Sequence, residues 1–378
     1  MKVIVHSGYD TIDAAAWDRV VGPGGSPFLE HVFLSGLERL GCAAPETGWG
    51  ARPVTVHDDD GLLVAAAPAW ITAHSMGEFV YDHAWADAAH RAGFEYYPKL
   101  VVGVPFTPVT GQRLLVGPDA ADPQAVRRSL LQGVQAAAKG CHGIHVLFDT
   151  EDEAAWLARQ GMFERLQFQF HWYNHGYDSF EGWLSRFPSK KRNKIRRERK
   201  DLHGVEIEAV VNPSMDQLMV MHRFYRNHCQ QFGPWGRTYL SKAMFEFLGE
   251  RWGDRLHLVL ARDSGRLVAG AFNVVKGDRL YGRYWGAESE VPFLHFEVCY
   301  YRAIEECIRL GLSVFEPGHG GGHKYRRGFE PTITRSSHRL LDDRLHDGLA
   351  RYASQEASEV QRQVVDLREQ LPYKPPST

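Results

Sequence analysis

The sequence has no long apolar run, no strong charge of either sign and little cysteine. Its longest apolar stretch, Leu62 to Ile71, is about half of what a bilayer crossing needs, and the opening residues Met1-Lys-Val-Ile-Val-His6 hold no apolar leader segment. No membrane span is expected, and a cytoplasmic location is. The five cysteines, Cys42, Cys141, Cys229, Cys299 and Cys307, are dispersed without zinc-ligand spacing and read as reduced core residues. A net charge of −2 over 378 residues makes any dense basic block a local departure with its own cause. Two catalytic signatures are missing as well. There is no Gly-x-Ser-x-Gly elbow, and Lys324 follows His323 and precedes Tyr325, which excludes the Gly-Lys-Ser/Thr order of a P-loop.

What is present begins with 44% hydrophobic residues, enough to build the cores of two domains. The stretch Phe315-Glu-Pro-Gly-His-Gly-Gly-Gly-His-Lys-Tyr-Arg-Arg-Gly-Phe-Glu-Pro331 leaves a strand-like run, passes five glycines and delivers His323, Lys324, Arg326 and Arg327. Glycine lets a backbone approach something closely, and the cations imply that this something is anionic. A glycine-rich turn with solvated charges is the plainer alternative. Glu316, His319 and His323 lack a helix to align them, so no metal site is expected. From Lys190 to Lys200 the chain reads Lys-Lys-Arg-Asn-Lys-Ile-Arg-Arg-Glu-Arg-Lys, eight cations in eleven positions. As a helix this segment repels itself unless phosphates neutralise it, so Lys190, Lys191, Arg192, Lys194 and Arg196 are candidate phosphate or tRNA contacts, with a solvated face as the alternative.

The chain also repeats itself. Arg52–Ala67 reads as a hairpin turning at Gly61, and Leu256–Ala271 as one turning at Gly265, 204 residues later. Helix-then-strand patterns at Pro123–Phe148 and Leu294–Phe315 recur with Gly143 and Gly311 offset by 168. The difference predicts an insertion of about 36 residues in the first half, within 72–116. The pattern predicts two mixed α/β domains, 1–170 and 171–342, followed by a C-terminal helix and tail, 343–378.

Several segments carry a family resemblance: His74-Ser-Met-Gly-Glu-Phe-Val-Tyr-Asp-His-Ala-Trp-Ala-Asp87, Tyr96-Tyr-Pro-Lys-Leu-Val-Val-Gly-Val-Pro-Phe-Thr-Pro-Val-Thr-Gly-Gln-Arg-Leu-Leu115, the basic block and the glycine loop. Together they resemble the FemAB-like N-acyltransferase family. That resemblance implies a mixed α/β fold of two tandem GNAT-like domains, and amide formation between an activated acyl or aminoacyl group and an amine. It implies aminoacyl-tRNA or acyl-CoA as co-substrate, with no tightly bound cofactor, and places Lys324 where a substrate phosphate is held. The usual coenzyme A loop of GNAT proteins, Arg/Gln-x-x-Gly-x-Gly/Ala, is missing after a suitable strand, which tilts the reading slightly toward tRNA. A noncatalytic RNA- or phosphate-binding module is the alternative.

Acyl transfer from an activated donor needs no enzyme nucleophile; it needs a neutral amine, a base and a partner for the oxyanion. The acid-rich segment suggests Asp82 or Glu78 as the base, then His74. Ser75, Tyr97, Lys99, Trp285, Glu316, His323, Lys324 and Arg327 are the candidate substrate contacts.

Overall fold

A computed structural model of the chain describes residues 1–233 and 236–374. It divides into two compact units, one of Met1–Phe168 with Ile333–Gln363, the other of Gln169–Thr332 with the residues from Val364 onward.

Unit 1 contains β1 (Lys2–Val5), β2 (Trp49–Ala51), β3 (Val54–His57), β4 (Leu63–Ala67), β5 (Ala69–Thr72), β6 (Lys99–Val102), β7 (Leu115–Val116), β8 (Gly143–Asp149) and the first half of β9 (Phe163–Tyr173). A small sheet runs β1-β3-β4-β7. Pro68, which has no N–H for a ladder, separates β4 from β5, and the chain passes there into a second sheet. In it β2 and β6 flank β5 as antiparallel neighbours, and β6 pairs with β8 in parallel. Val54, Val56, Leu100, Val102, Leu130, Val134, Ile144 and Val146 form a core under the helix Pro123–Ala137. That helix starts where the sequence directs it: Asp122 accepts from the Gln124 and Ala125 amides, and Pro123 fills the first turn.

Unit 2 contains the second half of β9, then β10 (Val205–Val211), β11 (Leu256–Asp263), β12 (Arg266–Lys276), β13 (Arg279–Ala287), β14 (Val314–Glu316) and the start of β15 (Glu330–Leu340). Antiparallel pairing joins β10 through β13, and β13 pairs with β14 in parallel. The run β11-β12-β13-β14 repeats the pairing senses of β3-β4 and β5-β6-β8.

Gly61 and Gly265 both sit in hairpin turns with φ of 86° and 79°. The turns differ in length. Ser264 and Gly265 alone link β11 to β12, both at positive φ, whereas Asp58 braces a longer loop by accepting from the Asp60 and Leu62 amides. The extra length of the first half lies partly in residues 73–98, which join β5 to β6 where unit 2 needs only Gly277 and Asp278.

The expected contiguous halves need correction. In unit 2, Trp172 and Tyr173 of β9 pair with β14; in unit 1, Arg335–Leu340 of β15 pair with β8. Each unit thus completes its sheet with a strand that follows the other unit in sequence. The helix Asp343–Glu369 is no separate tail either: Leu345, Leu349 and Ala353 join Trp85, Ala89 and Tyr96 in a core of unit 1.

Candidate functional site

In unit 1 the acid-rich segment wraps around Lys99. Its Nζ donates to Glu78 Oε2 at 2.8 Å, Asp82 Oδ2 at 2.5 Å and Ser75 Oγ at 2.8 Å, and the Lys99, Glu78 and Asp82 side chains have no accessible surface. Tyr96 donates to Asp82 at 2.6 Å, and the Tyr97 hydroxyl lies 2.7 Å from Ser75 Oγ. Burial pushes Glu78 up to about 7 against the pull of Lys99. Burial acts on Asp82 in the same direction, but the charge of Lys99 and the hydrogen bonds from Lys99 and Ser75 outweigh it and hold Asp82 well below the carboxylate range. One ammonium facing two carboxylates therefore carries Asp82 fully ionised and shares Glu78 with a proton. His145 Nδ1 lies 2.7 Å from His338 Nδ1, and burial keeps both imidazoles neutral, His145 at about 3.

This geometry revises the expected bases. A base must reach the amine, and Asp82 and Glu78 face the protein interior. His74 is half-buried and engaged at both ring nitrogens, by the Thr47 carbonyl at 2.9 Å and the Met76 amide at 3.2 Å. Lys99, expected as a substrate contact, is instead fully buried and held by Ser75, Glu78 and Asp82. Among the described residues that contact Lys99 or its partners in this cluster, Ser75, Glu78, Asp82 and Tyr96 are buried and Tyr97 is half-buried. Tyr96, His145 and His338 escape the sequence reading, because a lone His or Tyr in a strand-like run carries no signal of its partner.

Unit 2 holds the glycine loop. Lys324 is 3% exposed and donates to the Gly318 carbonyl at 2.6 Å and to those of Pro317 and His319 at 3.4 Å. With no carboxylate beside it, burial pushes its amine down to about 7. Gly318, Gly320 and Gly321 take φ between 74° and 86°, the left-handed geometry that turns these carbonyls onto the amine. Arg327 stacks on the Phe296 ring 3.3 Å from its centroid, and donates to Glu198 at 3.3 Å and to the Tyr301 hydroxyl at 3.0 Å. His323 Nε2 lies 2.9 Å from the Tyr300 hydroxyl. Glu316, expected as a substrate contact, is instead 4% exposed and paired with Arg279 at 2.9 Å. No cluster of three or more metal-ligating side chains occurs among the described residues.

The basic block forms the helix Ser189–Lys200, which buries Ile195 and Glu198. Its cations separate into two groups. Arg196 pairs with Glu181 at 2.5 Å, Arg199 with Glu297 and Glu305 at 2.8 and 2.6 Å, and Arg192 donates to the Phe187 carbonyl at 2.7 Å. Lys190, Lys191, Lys194 and Arg197 have no carboxylate partner among the described residues, and with Pro188 and Asn193 they line an open pocket of about 680 Å3. Partial burial, then the nearby Arg327 and Lys194, push Lys191 down to about 8. Arg192 and Arg196 are thus occupied, and Arg197 takes their place in the candidate anion site. Trp285 lines a different pocket of unit 2, of about 540 Å3, with His228, Glu290, His295 and Phe296.

Comparison with known proteins gives a consistent picture. The FemAB-like family model, described as peptidoglycan biosynthesis/recognition, matches residues 8–375. The fold is similar to that of FemX, with a TM-score of 0.53 at 13% identity over 93% of this chain and 100% of that one. It is also similar to L-PGS from Bacillus licheniformis, with a TM-score of 0.52 at 11% identity over 91% of this chain and 97% of that one. No curated protein matches the sequence. At these identities the structural likeness speaks to the fold, a tandem GNAT-like arrangement, and the match across residues 8–375 establishes that the chain belongs to the FemAB-like family.

Proposed function

We propose that the protein is an N-acyltransferase that joins an activated acyl or aminoacyl group to an amine without a covalent enzyme intermediate, and that unit 2 holds the phosphates of its donor. The observation that carries this reading is the pocket at Lys190, Lys191, Lys194 and Arg197, four cations without carboxylate partners among the described residues, on a chain of net charge −2. Membership in the FemAB-like family, with its peptidoglycan description, supports aminoacyl transfer to a cell-wall or lipid-linked amine. The dense charge, which suits a polyanionic backbone, favours aminoacyl-tRNA over acyl-CoA.

Lys324 fits the same reading. Its amine gives up part of its charge because burial removes water and no anion replaces it, and a phosphate reaching the loop restores the charge and gains an ion pair in a dry setting. The Lys99 network of unit 1 acts as a scaffold that fixes Ser75 and Tyr97, the members of the cluster nearest to solvent.

The test is turnover. Purified protein is incubated with aminoacyl-tRNA or with acetyl-CoA, each with a mixture of amines that includes lysine-bearing cell-wall peptides. Amine-dependent release of free tRNA or free thiol is expected, and lost on replacing Lys190, Lys191 and Lys194 with Gln. Tight tRNA binding with no amine-dependent release from either donor would instead make the protein a binding module.

A further inference from the structure

A second cavity lies in unit 1, outside the Lys99 cluster but on the core that Trp85, Leu345 and Leu349 share with Tyr96. It runs between the helix His83–Arg91 and the C-terminal helix Asp343–Glu369 and has a volume of about 500 Å3. The buried Trp85, Leu345 and Leu349 lie deepest in its lining, Ala88, Phe94 and Gly348 are half-buried, and the exposed Ala84, Ala92 and Tyr352 stand at its rim. Tyr352 is 50% exposed, so the trough opens to solvent. Among the described residues the charged side chains lining it are Arg91 and Arg344. Arg344 is held by Asp342 at 3.0 Å and lies over the Phe94 ring, whereas Arg91 has no ion-pair partner among the described residues.

We propose that this trough is a binding site for one linear acyl chain carrying an anionic head, with the chain between the two helices and the head on Arg91. The shape selects the occupant. From Arg344 to Tyr352 the helix advances about 12 Å at roughly 1.5 Å per residue. That length holds roughly ten bonds of an extended chain at about 1.2 Å per bond. The charge selects the head. An anion can take the guanidinium of Arg91 as a charge-assisted partner, while a cation finds no carboxylate among the described residues that line the trough, Asp342 being engaged by Arg344. The site is independent of the acyl-transfer reading, which uses unit 2.

Isothermal titration with decanoate, decyltrimethylammonium and decyl maltoside, each below its micelle threshold, tests the site. Decanoate is expected to bind at one site per chain, about tenfold or more tighter than the cationic chain, as one charge-assisted contact implies. Arg91→Glu should reverse that preference. Gly348→Leu should abolish binding without harming the fold, because a Cβ at Gly348 meets nothing within 4 Å and leucine is the better helix former. Native melting of Gly348→Leu establishes that the fold is intact. Equal binding of all three heads, or undiminished decanoate binding by Gly348→Leu, overturns the proposal. So does a wild-type dimer that Gly348→Leu splits into monomers, which would make the trough a contact between two copies of this chain.

Discussion

Lys99 holds Asp82 at 2.5 Å, and neither side chain has accessible surface. Glu78 shares the same ammonium at 2.8 Å, so removing the lysine leaves two buried carboxyl groups without their cation. Lys99→Met should therefore cost about 3–5 kcal/mol of stability, measured by denaturant unfolding. Neutralising the whole cluster, Lys99→Met with Glu78→Gln and Asp82→Asn, should cost less than Lys99→Met alone. A triple variant less stable than the single one would show that the carboxylates' other partners, Tyr96 on Asp82 and Thr72 on Glu78, outweigh the loss of Lys99.

The two units should respond to pH in opposite directions. Burial raises Glu78 to about 7 and Asp149 to about 8, the latter despite a hydrogen bond from Ser337 at 2.6 Å. A carboxyl group raised on folding stabilises below its unfolded pKa and loses that contribution as pH rises through the folded value. Unit 1 should thus weaken between about pH 6.5 and 8.5. Asp82, held low, contributes constantly over that range, and the neutral His145 and His338 change their contribution only below about 6.5. In unit 2 Lys324 is lowered on folding, so its penalty is relieved as pH rises above about 7. Hydrogen exchange of β8 against β13 at pH 6.5 and 8.5 separates the two responses, and Asp149→Asn should flatten the first.

Much of this architecture is legible before any coordinates. The two hairpin turns follow from Asp/Gly chemistry at Gly61 and Gly265, and the helix at Pro123 from its Asp cap, because these signals are local. The exchange of β9 and β15 is not legible, since two strands of equal length can each serve either neighbouring edge and nothing local chooses. Burial of Lys99 is equally hidden. In sequence Lys99 reads as a substrate contact until Glu78 and Asp82, distant along the chain, close around it. In the basic block, composition finds the charge but cannot tell Arg196, neutralised by Glu181, from Lys194, which has no such partner.

Lys324 should make anion binding depend on pH. With its amine at about 7, binding at pH 8 must take up a proton that at pH 6 is already in place. That costs up to about one pKa unit of affinity, or roughly tenfold. A short phosphodiester oligonucleotide, whose backbone charge is constant over this range, should bind more weakly at pH 8 than at pH 6. Lys324→Met should remove that dependence and weaken binding at pH 6 by about 1.5–3 kcal/mol, one charge-assisted hydrogen bond. An unchanged pH profile in Lys324→Met would place the lysine outside the anion site, as a clasp for the loop carbonyls only.

The division of cations along the basic helix gives the sharpest contrast between neighbours. Lys190, Lys191 and Lys194 face the pocket without carboxylate partners, while Arg196 pairs with Glu181 and Arg192 with a carbonyl. Counterion release makes the salt slope of binding to a single strand about −0.7 per neutralised phosphate. Replacing the three lysines with Gln should flatten the slope of log affinity against log salt by about 2 for deacylated tRNA, with the greatest loss of affinity at low salt. Arg196→Gln should leave slope and affinity nearly unchanged, because an exposed, already paired cation releases few counterions. Fluorescence anisotropy across a salt series reads both quantities. If Arg196→Gln flattens the slope as much as the lysine triple does, the helix binds as a diffuse charged surface and the pocket has no special role.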